Sequence, residues 1–378
     1  DHPLATALVH KIANRRALYA AVLLHDIAKG RRGDHSVLGA EVALKLCPRF
    51  GLDEKETELV SWLVRNHLIM SATAFKRDLA DWKTISDFVA QVQSIERLRL
   101  RSAALERWLA AGHQASMAWM ADPRRRDIQQ LLPGVRSLVA VGLPYWVDAE
   151  RSPGSLKVAR YGWGRDYHRL IDGRLRALGR WLEQELPGVR WRACVDSAPL
   201  MDKAWAEQAG LGWIGKHGNL IHRGHGSWLL LGHLLTTLEL PADRPAQPAC
   251  GACSACLDAC PTAAITEPFV VDARRCIAFH TIENRDPELP SQIADALEGW
   301  VAGCDICQDV CPWNHRPFAG SSDPDLQPRP WWLDLRAGEA LEWSDSEWDE
   351  KLRASALRRI KPAMWRRNIR AAMASPPA

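Results

Sequence analysis

Over residues 1–95 the apolar positions fall at helical spacing: Ala17–Ala28 is apolar with few breakers, and Val37–Leu46 and Glu56–Val64 are amphipathic. No period-two alternation appears there, so this segment is expected to be all helical. The texture changes near residue 135. Arg136–Leu143 is a short apolar run bounded by Gly134 and Pro144, as a buried strand would be, and Trp228–Leu235 looks the same. Leu170–Leu186 between them has helical periodicity, so the middle of the chain is expected to mix α and β. Asp202–Ala209 is alanine-rich and helical in pattern, and Pro241–Pro248 is a proline-rich connector. A cysteine-rich segment then runs to about residue 313, and residues 330–378 are tryptophan-rich and then basic. The fold class this predicts is α+β preceded by an all-α segment, without a long repeat or a low-complexity tract.

Composition narrows the picture. At 378 residues there is room for two or three domains with cores of their own. A hydrophobic fraction of 47% with 25% charged residues is ordinary for a globular protein, and no apolar run approaches the roughly 20 residues that span a bilayer. The chain opens on Asp1 and shows no basic, apolar and small-residue succession of an export signal, so a cytoplasmic, monomeric protein without a membrane anchor is expected. A net charge of +4 does not by itself imply a polyanion partner. The tail is locally basic, however: residues 351–370 hold eight Lys or Arg and no acid. Its alternative is a solvated face balanced by the acidic stretch Glu339–Glu350.

The ten cysteines carry the most specific signal. Cys250, Cys253, Cys256 and Cys260, followed by Pro261, have the C-x2-C-x2-C-x3-C-P spacing of a bacterial ferredoxin run, in which the fourth cysteine ligates the other cluster. Cys304, Cys307 and Cys311-Pro312 repeat the end of that pattern, and Cys276 substitutes for the missing member. This predicts two four-iron four-sulfur clusters, one on Cys250, Cys253, Cys256 and Cys311, the other on Cys260, Cys276, Cys304 and Cys307. Structural zinc prefers four ligands in two pairs and fits interlocked runs badly. Disulfides need an oxidising compartment that nothing here suggests. Cys47 and Cys194 are left over and read as small buried hydrophobes.

Gly210-Leu-Gly-Trp-Ile-Gly215-Lys216-His217 nearly matches a phosphate loop, but His217 lacks the hydroxyl that holds magnesium, and the segment follows a helical stretch rather than a strand. An NTPase is not expected. The glycines serve a turn or the approach of a bulky ligand.

Three motifs precede the cysteines in order: Arg160-Tyr-Gly-Trp-Gly-Arg-Asp-Tyr-His168, Val195-Asp-Ser-Ala-Pro199 and Gly210–His217. With Asp272-Ala-Arg-Arg-Cys276 and Gly303-Cys-Asp-Ile-Cys-Gln308, residues of about 100–378 resemble epoxyqueuosine reductase. The resemblance implies a reductase domain over 100–245, a two-cluster ferredoxin-like domain over 246–320 and a C-terminal helical segment over 321–378. It also implies reduction of epoxyqueuosine to queuosine at the tRNA wobble position, with electrons passing from an external flavodoxin- or ferredoxin-type donor through two clusters to cobalamin. Asp196 matches the family's proton donor. Its pKa is expected to be raised in a dry pocket roofed by a corrin and a stacked base, with Tyr167, His168 or His217 next in line as donors. The resemblance places Arg160, Tyr161, Gly164, Asp166, Tyr167, Trp213, Lys216, His217 and Asn219 at cobalamin, and turns Lys203, Arg274, Arg275, Arg366 and Arg367 toward tRNA. Two departures accompany it: the family's opening helix and strand have no counterpart ahead of residue 100, and the terminal helical repeats of some members are lacking. A missing core strand leaves an open sheet edge.

Leu23-Leu-His25-Asp26-Ile-Ala-Lys29, Gly33-Asp-His35 and Arg65-Asn-His67 resemble, over about 1–95, the HD domain of the bifunctional uridylyltransferase and uridylyl-removing enzyme. That implies a divalent metal held by His25 and Asp26, since imidazole and carboxylate together suit such ions. Neither His2 nor His10 stands where the family's first histidine does, so the site is expected to be incomplete. Asp78, Asp81 and Asp87 are candidates for a final carboxylate. Two rival activities follow: a metal-dependent phosphohydrolase on His25 and Asp26, or an electron carrier with no substrate of its own.

Overall fold

The computed structural model describes residues 14–31, 34–66, 101–316 and 320–374. The chain divides into two compact units, residues 1–92 and 93–378.

In the first unit, α1 (Arg15–Leu24), α2 (His35–Leu46) and α3 (Glu54–Asn66) pack together. Each start is marked by a side chain that takes up an orphan backbone N–H: Asn14 Oδ1 accepts from Ala17, Asp34 Oδ1 from Ser36, and Asp53 and Glu56 bond each other's backbone reciprocally. The core is Ala17, Ala21, Leu24, Ala43, Cys47, Leu52, Val60 and Val64. Cys47 is fully buried there, in the role of a small hydrophobe. The first helix ends at Leu24 rather than at Ala28, because the chain passes into a run of turns closed by Gly30 at φ +87°.

The second unit is organised by an antiparallel sheet of β1 (Ser137–Pro144), β3 (Trp191–Cys194) and β6 (Leu229–Thr236), in the order β1-β6-β3. Ser137 pairs with Thr236 and Pro144 with Leu229, while Trp191 and Cys194 pair with Thr236 and His233. The predicted strands therefore stand shifted by one residue. Both faces of β6 are covered, which is why it reads as one continuous apolar run. Leu230 and Leu234 face α4 (Tyr167–Glu185) with Ile171 and Leu175, whereas Leu235 packs with Leu131, Leu132, Val135, Cys194 and Leu200. Gly232 permits the close helix–sheet approach, since a Cβ there would stand 2.4 Å from Ile171 Cγ2. Among the described residues the outer edge of β1 has no strand partner.

The largest core draws on residues 156–163, 277–302 and 332–372 together, and it gathers six buried tryptophans, Trp163, Trp300, Trp332, Trp343, Trp348 and Trp365. Trp163, Trp300, Trp332 and Trp365 are fully buried, and Trp343 stacks on Trp365 at 5.8 Å between ring centroids. The C-terminal segment is thus part of the body's core. No helix among the described residues is long and apolar enough to cross a membrane.

Candidate active site

Asp196 follows β3 in a tight turn and takes φ +34°, a left-handed conformation that a non-glycine residue adopts at a cost of order 1 kcal/mol. Its side chain is 64% exposed. Tyr167 Oη donates to Asp196 Oδ2 at 3.1 Å, and His168 Nε2 lies 3.1 Å from the same oxygen. Both residues sit in the first turn of α4, whose N-cap Asp166 accepts from the His168 backbone N–H and meets His168 Nδ1 at 2.7 Å. The imidazole therefore bridges two carboxylates. Burial opposes its charge, but the hydrogen bonds to Asp166 and Asp196 raise His168 to about 9.

The expectation for Asp196 concerned a pocket roofed by ligands; the protein alone holds the carboxyl differently. Desolvation does push its carboxyl up, yet His168, the Tyr167 hydroxyl and Lys203 outweigh it and hold Asp196 below the ordinary carboxylate value. The protein alone presents an Asp196 carboxylate beside a His168 imidazolium; the dry roof the expectation required would have to come from a ligand. Tyr167, largely desolvated and beside Asp196, is held far above a normal phenol and stays a hydrogen-bond donor.

The second expected motif forms a hairpin of β4 (Trp213–Ile214) and β5 (Leu220–Ile221), with Gly215 N–H donating to Asn219 O at 2.8 Å. No helix follows it, so the phosphate-loop likeness is one of sequence only. Lys203, from α5 (Asp202–Gln208), spans to this hairpin through Gly218 O at 2.8 Å and Asn219 Oδ1 at 2.9 Å. Lys216 Nζ donates to Gly251 O and Cys253 O, both at 2.8 Å, tying the hairpin to the cysteine run. Burial lowers His217 to about 4, so its ring is neutral. Its Nε2, both amide atoms of Gln208 and Trp213 Nε1 are buried with no hydrogen-bond partner among the described residues.

Arg160 and Gly164 serve the architecture. The Arg160 N–H donates to Asp305 Oδ2 at 2.7 Å, its guanidinium lies 4.1 Å from the Trp146 ring, and a Cβ on Gly164 would stand 2.5 Å from Asp325 O. Tyr161 packs edge-on to Tyr167. Asp305, unforeseen in the sequence reading, fastens the cysteine segment to this motif.

All ten cysteines are free thiols. A cavity of about 100 Å³ is lined by Cys250, Cys253, Cys256 and Cys311 together with Lys216, His217, Ile221, Pro312 and Trp313. In the second set burial pushes the thiols of Cys276, Cys304 and Cys307 up, Cys304 feels Cys307 and Cys276, and Cys307 feels Cys276, Cys256 and Cys260. The first set thus lines one cavity and the thiols of the second lie within electrostatic reach of one another; soft thiolate donors gathered in this way suit iron–sulfur clusters. Cys194 is buried in the sheet core, as expected.

The expected tRNA-facing residues are corrected in part. Arg367 is only 8% exposed and donates to His280 O, Asn284 O and Asn368 Oδ1, so it is a core strut. Arg366 donates to Trp343 O and Asp345 Oδ1, and Arg358 and Arg359 pair with Asp349 and Glu283. A basic sequence has folded into neutralised pairs. Arg274 is clamped on Asp272, while Arg275 is exposed.

In the first unit His25 Nε2 and His35 Nε2 each lie 3.6 Å from an Asp26 oxygen, and Lys29 Nζ lies 3.0 Å from Asp26 Oδ2. Among the described residues no three His, Cys, Asp or Glu stand close enough together to hold a single metal ion, and this is as true of the cysteine sets as of His25, Asp26 and His35. His2, His10, His67, Asp78, Asp81 and Asp87 lie outside the described residues.

The family model of a 4Fe-4S double cluster binding domain matches residues 249–314, which hold all eight expected ligands. Cluster ligands bound by hydrogen bonds to a body that carries a proton-bearing histidine–carboxylate pair make this an iron–sulfur oxidoreductase. The epoxyqueuosine reductase QueG model matches residues 125–197, and the HD domain model matches residues 1–107. An epoxyqueuosine reductase of Synechococcus sp. is 67% identical over 288 residues, covering 76% of this chain and 90% of the relative. The chain belongs to the epoxyqueuosine reductase family. Among solved structures, an epoxyqueuosine reductase with an epoxyqueuosine-modified tRNA-Tyr stem loop aligns with TM-score 0.64 and 28% identity over 76% of this chain and 82% of that one. The Bacillus subtilis enzyme, with its catalytic aspartate loop swung out of the active site, aligns with TM-score 0.65 and 27% identity over the same shares.

Proposed function

We propose that this chain reduces epoxyqueuosine to queuosine at the wobble position of tRNA, as a cytoplasmic monomer using two [4Fe-4S] clusters, cobalamin and an external one-electron donor protein. The observation that carries the reading is Asp196, solvent-open and bonded to Tyr167 and His168, in a body joined by Arg160 and Asp305 to the cysteine segment. Removing an epoxide oxygen as water takes two electrons and two protons. Clusters on Cys250, Cys253, Cys256, Cys311 and on Cys260, Cys276, Cys304, Cys307 would supply single electrons. Cobalamin, when bound, supplies a low-potential metal able to act on carbon. The orphaned polar atoms of Gln208, Trp213 and His217 fit a large ligand rich in amides, and Lys216, Asn219, Tyr161 and Tyr167 stand on the same two motifs.

The protein's own residues handle the protons. Asp196 meets the departing oxygen, His168 holds a proton at Nε2 within 3.1 Å of Asp196, and Asp166 keeps that imidazole charged and oriented. When substrate covers Asp196, loss of water favours its neutral form, one proton passes from His168 to Asp196 and on to oxygen, and the second follows by the same path after solvent recharges His168. Lys203 adds a positive charge at the cleft, while Arg275 and the exposed part of Arg274 are the residues left to meet phosphates.

The test is anaerobic reconstitution of the full chain, followed by a visible spectrum for bound corrinoid and nucleoside analysis of an epoxyqueuosine-containing stem loop. Conversion to queuosine with a chemical reductant is the expected result. Intact clusters with no corrinoid binding and no conversion would leave a plain electron carrier.

A further inference from the structure

The structure also points to where electrons enter, an inference that rests on the reductase reading above. Of the eight expected cluster ligands, Cys253 alone is exposed, and the whole run 251–254 lies at the surface. Trp313 lines the same cavity as Cys250, Cys253, Cys256 and Cys311, and packs edge-on to Trp213 at 4.7 Å. Two exposed arginines gather on this aromatic pair. Arg316 lies 3.7 Å from the Trp313 ring centre, and Arg223 lies 5.6 Å from Trp213 and 5.9 Å from Trp313. His222 and His225 stack beside Arg223 at 5.1 Å. Unlike Arg358, Arg359 and Arg366, neither Arg223 nor Arg316 is neutralised by a carboxylate among the described residues. The acid of the cysteine loop, Asp258, is turned onto Ser254 Oγ at 2.7 Å.

We propose that Arg223, Arg316 and Trp313 form the docking surface for a small acidic one-electron donor protein, which reduces the cluster on Cys250, Cys253, Cys256 and Cys311. Uncompensated cations around an aromatic anchor complement an acidic partner, and such fields act mainly on the rate of encounter. A redox partner has to bring its cofactor close to a cluster, and this is the quartet that reaches the surface. In each encounter the donor loses one electron and the cluster passes from the 2+ to the 1+ state; two encounters supply the two electrons of the reaction. RNA is the rival occupant, but Arg274 and Arg275, the arginines left to meet phosphates, immediately precede Cys276 of the other quartet.

The test uses the reconstituted full chain carrying Arg223→Glu and Arg316→Glu, with reduced flavodoxin as the probe and cluster bleaching followed by stopped flow. At low ionic strength the second-order rate should fall by about 10-fold or more, and the gap should close as salt rises. Bleaching by dithionite, iron content and dithionite-driven queuosine formation should be unchanged, which separates this proposal from the reductase reading: failure of dithionite-driven turnover in the parent chain would sink that reading alone. An Arg316→Gln variant should move the flavodoxin rate in the same direction by less. An unchanged flavodoxin rate overturns the docking surface, and a selective loss of stem-loop affinity in its place assigns the patch to RNA.

Discussion

Two histidine–aspartate groupings stand in this chain, one in each unit, and they differ in geometry. In the reductase body His168 meets Asp166 at 2.7 Å and Asp196 at 3.1 Å, with Asp166 itself fixed as the cap of α4. In the helical unit His25 and His35 stand 3.6 Å from Asp26, which Lys29 approaches at 3.0 Å. At hydrogen-bonding distance the two carboxylates raise His168; the Nε2 approaches of His25 and His35 to Asp26 in the helical unit, at 3.6 Å, lie beyond that distance. A signature in sequence thus becomes chemistry only where a rigid element holds both partners in register. Here the N-terminus of a 19-residue helix does so.

The sharpest way to break this comparison is Asp196→Asn, which keeps the shape and removes the transferable proton. Turnover should fall by about 100- to 10,000-fold, with iron content, corrinoid binding and stem-loop affinity retained. Near-normal turnover would return Asp196 to the standing of a turn residue. Next in size, Cys276→Ser should lower the iron of the reconstituted chain from about eight to about four per molecule, since it removes one corner of one quartet. Four irons in the parent chain would undo the two-quartet assignment.

The His168 pairing makes a pH prediction of intermediate size. Its folded value, about 9, lies above the ordinary 6.5, so the pairing stabilises the fold fully below pH 6.5 and is lost as pH rises through about 9. Turnover should therefore carry an alkaline limb near pH 9 that His168→Gln abolishes along with part of the maximum. The urea midpoint of the parent should also fall more than that of the variant between pH 7 and pH 10. An unaltered limb in the variant would assign it to another group. The smallest effect belongs to the helical unit. Asp26→Asn should leave dithionite-driven queuosine formation within about twofold, and the parent chain should show no manganese-dependent hydrolysis of cyclic nucleotides or uridylylated protein. Hydrolysis abolished by Asp26→Asn would show that the first unit holds a working metal site.

The helix and strand positions were legible in the sequence because their cause is local. Ala, Leu and Val at helical spacing built α2, α3 and α4, and the continuous apolar runs built β1 and β6. The cysteine spacing marked the segment as a two-cluster domain, which the family model over residues 249–314 bears out, because interlocked runs of closely spaced thiols are local in sequence. What the tail would do was not legible. Eight cations without an acid in one stretch left two outcomes open, a polyanion surface or a face balanced by Glu339–Glu350; Asp345 and Asp349 of that stretch, with Glu283 from farther off, neutralise Arg366, Arg358 and Arg359. Arg367 went further, into the core, because carbonyls at residues 280 and 284 converge there to receive it. The charge state of Asp196 was likewise decided by folding: burial is a property one can expect of a motif, but the hydrogen bonds from Tyr167 and His168 exist only because α4 delivers its first turn to the end of β3. Sequence by itself determined the elements, the two-cluster segment and the candidate acid; tertiary structure alone decided which charges are cancelled and which remain, because electrostatic energies depend on distances between residues far apart in the chain.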